Sequence, residues 1–356
     1  MACAAGAPRL EDRHQLAHVE LPDHSARLYY SGLERHDAEG LLPEVAAVQS
    51  EVTGCLGFKP PRAELVLYPA PEGPSLEAVH ETRCDLVRGE QGEWSIVFAY
   101  PYARDPYPQG PNPRGRAQLL GTTSHELAEA TVLLRVTVLD PYLRWMHDGI
   151  AELVEHRVLS RRLPEAARSG LARARAFLEE RLGAGDLWVD LSRWRQLTPW
   201  IVRSHRFLGP NQSNLSLDDL EGALRRVRRA RDLGGEPDLI AGLTELEAML
   251  LRAQALAERP YVPGEARAGD AETHDFLLYA SSFALWLEVE QRRPGAARAL
   301  LERLERRRGE GDHVLGAAEG EALLREVCPS ETPPLTRYPL ERAVAALRAE
   351  EERAGR

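Results

Sequence analysis

Five prolines crowd positions 101, 106, 108, 111 and 113. Proline holds φ near −65° and brings no backbone N–H, so the segment PYARDPYPQGPNPRG cannot form a helix interior or a central strand. It reads as a loop, and it separates two differently patterned parts of the chain. Before it, ARLYYS (26–31) and AELVLY (63–68) read as short strands. The stretch between them, DAEGLLPEVAAVQSEVTGCLG, reads as an amphipathic helix that ends near Gly54 or Gly57. A third apolar run, WSIVFAY (94–100), leads straight into the prolines, which predicts an edge strand.

After the prolines the pattern is helical from Arg116 through Leu134. A further helix is expected from Asp140-Pro141, since Asp caps and Pro suits the first helical position. Its apolar residues Leu143, Met146, Ile150, Leu153 and Val154 recur at helical spacing. Beyond residue 160 the chain is rich in Ala, Leu, Glu and Arg and reads as helix, broken at Gly183–Gly185, Gly209-Pro210, Gly234-Gly235 and 260–264. The expected architecture is α+β: a small mixed lobe with a helix pair over 1–160, then a mostly helical C-terminal lobe over 161–356. Helical pairs at 215–232 and 275–308 suggest a solenoid, but no period of ~34 residues repeats with matched positions.

Composition narrows the function classes. A hydrophobic content of 43% over 356 residues excludes a disordered chain. The formal charge is −10, and only Lys59 among 45 basic residues is a lysine, so the basic excess of a nucleic-acid binder is missing. No apolar run approaches the ~18 residues that cross a bilayer, and no export leader is expected, so the anticipated setting is cytoplasmic, without a membrane partner. Cys3, Cys55, Cys84 and Cys328 show no CxxC pair, so structural disulfides are not expected. The run RRVRRAR (225–231) reads as a solvated helix face.

The chemistry concentrates in TTSHELAEATVLLRVTVLDPYLRWMHDGIAELVEH, residues 122–156. His125 and Glu129 stand four apart on one helix and share a face, as do Asp148 and Glu152 on the next. Glu126 follows His125 directly, where HExxH hydrolases keep a general base. Thr123-x-x-Glu126 also has the form of a capping box, but Arg116–Leu120 already reads as helix and places Thr123 inside it. His147 projects about 100° away from Asp148, which makes it a poor ligand. Trp145 is expected to pack as a core aromatic beneath this site. A His-Glu dipeptide alone carries nothing, as His80-Glu81 illustrates, and His80 with Cys84 is a weak pair for a metal.

HELAE at 125–129 is followed by eighteen residues and then by Asp148 within Trp145-Met146-His147-Asp148-Gly149-Ile150-Ala151. This resembles the gluzincin group of zinc metallopeptidases, peptidase MA, whose aminopeptidase branch carries HExxH, eighteen residues, and an acidic ligand in a W-x-x-E-G-x-A sequence. The strand, helix, strand opening and the helix pair at 274–304 are similar to that group as well. The resemblance implies a zincin-like lobe in which His125, Glu129 and Asp148 ligate one divalent ion, zinc first, with manganese or iron as alternatives. It implies that Glu126 takes a proton from the activated water and that Glu152 orients His125 through its other ring N–H. Tyr279 would donate a hydrogen bond near the oxyanion. The implied substrate is a peptide or protein, laid as an added strand along 94–100.

Two ligands depart from the family pattern, since Glu129 replaces the second histidine and Asp148 replaces a glutamate. Two carboxylates cancel the charge of a divalent ion, so water bound there is less acidic and catalysis weaker. No GxMEN stretch precedes the metal helix, which argues against recognition of an N-terminal amine. Two further readings follow from these departures. One is a degenerate zincin-fold binding or scaffold protein that has lost the ion; the other is a metal enzyme outside peptidase chemistry, since one His and two carboxylates also suit iron.

Overall fold

The computed structural model describes residues 10–69, 84–88, 93–102, 115–136, 138–195, 200–201, 217–258, 272–310, 314–329 and 334–355. The fold is mixed α+β and mostly helical, with a small sheet near the start and a helical C-terminal part. No helix among the described residues is long and apolar enough to cross a membrane. Internal contacts divide the chain into two compact units, Met1–Thr131 with Val154–Arg168, and Val132–Leu153 with Ser169–Arg356.

The first unit is built on strands β1 (Ala17–Glu20), β2 (Ala26–Tyr30), β3 (Arg62–Pro69), β4 (Cys84–Arg88) and β5 (Trp94–Tyr102), with helix α1 (Arg35–Leu56) between β2 and β3. The sheet order is β1-β2-β3-β5-β4, with β2, β3 and β5 parallel and the two outer strands antiparallel to their neighbours. The parallel strands are apolar on both faces because both are covered. Ala38, Leu41, Val45, Val48 and Val52 of α1 are buried, and α1 packs on β2 and β3. Tyr29, Val66, Val97 and Ala99 form a second cluster with Leu16 packed against it. Gly57 ends α1 in the left-handed region, φ 76°, and its N–H donates to the Thr53 carbonyl at 2.7 Å.

The structure corrects one expectation here. β5 is an inner strand, because β4 pairs antiparallel along Trp94–Phe98 and takes the edge on which a peptide was expected to lie. The segment CDLVR was missed because two charges in five residues leave no apolar run. β5 also continues past residue 100, with Pro101 opposite Tyr68 and Tyr102 opposite Pro69. Residues 103–114, His80-Glu81, Gly209-Pro210 and 260–264 lie outside the described residues.

Three helices, α2 (Arg116–Leu133), α3 (Arg144–Arg162) and α4 (Pro164–Gly183), run unbroken through the points where the units divide. The second unit adds α5 (Leu217–Asp232), α6 (Pro237–Ala257), α7 (Glu272–Arg292), α8 (Ala296–Gly309), α9 (Ala317–Val327) and α10 (Leu340–Ala354). It is not purely helical. Two-residue strands β6 (Val138–Leu139), β8 (Trp200–Ile201) and β9 (Val314–Leu315) join in one ribbon, and β7 (Trp188–Val189) pairs with β10 (Tyr338–Pro339). Such short pairings leave no periodicity to read in sequence.

The α5–α6 hairpin turns at Gly234 and Gly235, both at positive φ, and buries Leu220, Leu224, Val227, Leu246 and Leu250. Its basic face is partly paired, since Arg228 and Arg231 both bond Glu247. Glu290 starts α8 by accepting from the N–H groups of Gly295 and Ala297 at 3.0 and 2.8 Å. Cys55 and Cys328 are thiols rather than disulfide sulfurs.

Candidate metal centre

Helix α2 begins directly after the proline segment, and side-chain bonds back to earlier carbonyls place residues 119–131 well inside it. The Thr123 hydroxyl donates to the Leu119 carbonyl at 2.7 Å, and Thr131 bonds Leu127 in the same way at 2.6 Å. Thr123 is therefore an interior residue and not a cap, so Glu126 has no helix start to close. His125, Glu126 and Glu129 are half-buried on this helix.

Helix α3 is set by Asp140, whose carboxylate serves two helix starts. One oxygen accepts from the Tyr142 N–H in the turn Pro141–Leu143, the other from the Ala317 N–H at the start of α9, each at 3.0 Å. The expected apolar stripe is in place, with Leu143, Met146, Ile150, Leu153 and Val154 all buried. Trp145 is buried too and stacks on Trp286, centroids 6.4 Å apart. Ser282 and the Trp286 indole N–H both donate to the Trp145 carbonyl, at 2.8 and 3.1 Å. Gly149 permits this approach: a Cβ there would stand 2.2 Å from Ser282 Oγ and 2.5 Å from Trp286 Cδ1.

In the first unit His125 and Glu129 stand one turn apart on α2, whereas Asp148 and Glu152 stand one turn apart on the stretch of α3 that belongs to the second. His125 Nδ1 lies 3.5 Å from Glu155 Oε2. Glu155 reaches it across Gly121, one turn before His125, where a Cβ would come within 2.6 Å of Glu155 Oε1. Sequence reasoning named Glu152 alone for this place. The three-residue step from Glu152 to Glu155 was the available signal.

Asp148 is buried and carries a second set of partners on its own side of the helix. Arg144 Nε donates to Asp148 Oδ2 at 2.6 Å, and the same guanidinium donates to the Tyr279 hydroxyl. That hydroxyl in turn lies 3.5 Å from Asp148 Oδ1. The guanidinium sits 4.8 Å from the Trp194 ring centroid and 5.1 Å from that of Tyr279. Burial alone would lower the Arg144 pKa, but Asp148, then Tyr279 and Asp275, outweigh it and hold the residue firmly charged. Asp275 is shifted the other way. Its pKa is raised, first by burial and also by the Asp148 charge, against the opposing pull of Arg144. His147 is buried, with Nδ1 3.8 Å from Asp148 Oδ2.

Arg144 escaped sequence reasoning, although its four-residue spacing to Asp148 is an ordinary helical ion-pair signal.

The donor set suits a divalent ion. One imidazole with two carboxylates suits zinc and also manganese or iron.

The chain matches no family model, and no curated protein matches it.

Proposed function

We propose that this chain is a gluzincin-like, metal-dependent hydrolase that cleaves peptide bonds, with His125, Glu129 and Asp148 as ligands and Glu126 as general base. One observation carries the reading: His125 and Glu129 stand one turn apart on α2, and Glu155 Oε2 lies 3.5 Å from His125 Nδ1, where a carboxylate that orients a metal-bound imidazole belongs. A divalent ion held by these residues would supply a Lewis acid that makes water more nucleophilic. Glu126, on the helix that bears two of the proposed ligands, would accept the proton of that water and return it to the leaving amine. Glu155, joined by Glu152, holds the His125 ring, and Arg144 with Tyr279 holds the Asp148 carboxylate. The proposed setting is cytoplasmic, supported by cysteines that lack a disulfide framework.

Elemental analysis of the purified full chain tests the ligands, and turnover of a peptide library tests the base. One zinc, manganese or iron per chain is expected in the wild type and none in His125→Ala. Glu126→Gln keeps its ion and loses at least ~10²-fold in turnover. Undiminished turnover in Glu126→Gln would end the mechanism.

A second reading has one observation in its favour. The 2.6 Å bond from Arg144 gives the Asp148 charge a partner without any ion, as a binding or scaffold protein on the same fold would require. Absence of stoichiometric metal, with no thermal stabilisation by zinc or manganese, selects that reading.

A further inference from the structure

Residues 186–193, which follow α4, line a cavity of about 280 Å³ together with the start of α7. Trp188, Val189, Leu277 and Leu278 form its apolar wall. Val189 and the two leucines are buried, whereas Trp188 is 47% exposed and Leu187 beside it 65%. Arg337 lies over the Trp188 ring, 5.2 Å from its centroid, and steadies an indole that packing leaves open.

The charge at this cavity comes as two ion pairs. Arg181 binds Asp186, and Arg193 Nε lies 3.3 Å from Asp190 Oδ2. Ser192 Oγ donates to the other Asp190 oxygen at 2.6 Å and so fixes that carboxylate. Two guanidinium groups and two carboxylates sum to no net charge.

We propose that this cavity binds a small zwitterion with an apolar side chain, the chemistry of a free α-amino acid. A ligand of one charge meets as much repulsion as attraction among two cations and two anions. One that carries both charges offers its carboxylate to the guanidinium donors and its ammonium to the aspartate oxygens. The ion pairs open readily to admit it, because their side chains are between 21% and 50% exposed and pairs so exposed contribute little to stability. The apolar part of the ligand covers the open Trp188 indole and takes it out of water. A volume of about 280 Å³ stands at the low end of small-molecule sites, and it admits one residue-sized molecule rather than an extended peptide. The cavity lies wholly within the second unit and uses neither the proposed metal ligands nor Glu126, so it goes beyond the hydrolase reading and is tested apart from it.

The test is isothermal titration calorimetry of the full chain with L-leucine, L-phenylalanine and L-tryptophan. At least one of them is expected to bind with a Kd of about 1 mM or tighter. Its N-acetyl derivative, which lacks the ammonium, and its amide, which lacks the carboxylate, are each expected to bind at least about tenfold more weakly. Arg193→Gln and Trp188→Ala change exposed side chains, and each is expected to weaken binding by about tenfold or more with an unchanged circular dichroism spectrum. No binding of any of the three amino acids at about 10 mM overturns the proposal. So do derivatives that bind as tightly as the free amino acid, and so does undiminished binding by both variants, which would put the ligand elsewhere on the chain. Should a variant fail to fold, the derivative series on the wild type still decides. Each of these results leaves the metal-centre reading standing.

Discussion

Residues 144–153 of α3 meet their neighbours through stacked rings and a buried ion pair, whereas residues 154–162 combine buried Val154, Val158 and Leu159 with the ends of long charged side chains. In the first half, Trp145 stacks on Trp286, and Gly149 leaves room for a ring edge and a serine oxygen. In the second half, the Glu155 carboxylate lies over Gly121, and Arg162 Nε reaches Glu51 at 2.6 Å. A glycine sits at one contact in each half, but the atoms facing the two differ in freedom. An indole wedged among buried residues has nowhere to go. A carboxylate at the end of a three-bond side chain can rotate. Close packing therefore sets the position of Asp148, while adjustable ion pairs set the surroundings of His125.

The largest effect is expected where that packing encloses charge. Asp148→Asn leaves the Arg144 guanidinium without its principal counter-charge, and breaking a buried pair by removing one partner costs about 3–5 kcal/mol. Urea denaturation measures it, and a loss under about 1 kcal/mol would mean that the first half of α3 is no more demanding than the second. Gly149→Ala comes next. Alanine in a helix interior should gain up to about 1 kcal/mol over glycine. Here its Cβ would collide with Ser282 and Trp286, so a net loss of about 2–3 kcal/mol is expected from overpacking. A stabilised Gly149→Ala protein would contradict the description of that wall.

The same contrast governs what could be read in advance. Local patterns were legible: β2, α1 and β3 follow from apolar alternation and a helical period, and Gly57 ends α1 as its sequence position suggests. The two helices that carry His125, Glu129 and Asp148 were legible from their own sequence pattern, α2 directly after the prolines and α3 after Asp140-Pro141. Gly149 was legible as part of a motif but not as a steric requirement, because the atoms it must clear belong to Ser282 and Trp286, more than a hundred residues away. β4 escaped because its place depends on pairing with β5 rather than on its own composition. Arg144 and Glu155 carried local signals, at four residues from Asp148 and three from Glu152, but helix faces rich in Arg and Glu offer many such pairs, and only the fold selects among them.

Asp275 sharpens the comparison through pH. Its pKa stands above the ordinary carboxylate value of 3.8, chiefly through burial. A carboxyl group raised in the folded state favours folding when protonated. Its contribution is therefore full below 3.8 and is lost as pH rises through the folded value. At neutral pH the charged group is a burden on the ring-lined side of α3. Asp275→Asn should raise the melting temperature at pH 7, with the gain disappearing as pH falls below 3.8. A variant less stable than wild type at pH 7 would mean that Arg144 needs this second carboxylate more than burial penalises it.

Gly121→Ala is expected to change stability least and to report most directly on the adjustable half. The new Cβ gains helix propensity but enters the space held by Glu155 Oε1, 2.6 Å away, with Leu159 Cδ1 next at 3.5 Å. The carboxylate can rotate out, so gain and loss nearly offset and stability should stay within about 1 kcal/mol of wild type. What changes is the support of His125, whose Nδ1 now lies 3.5 Å from Glu155. In the proposed metal centre, loss of the carboxylate that orients the His125 imidazole would lower metal affinity by roughly 10–100-fold, and the long distance here points to the lower end, about tenfold. Glu155→Gln should weaken zinc binding to a similar extent without the steric change. If Gly121→Ala instead costs as much stability as Gly149→Ala, the Glu155 side chain is as tightly confined as Trp286, and the distinction between the two halves of α3 fails.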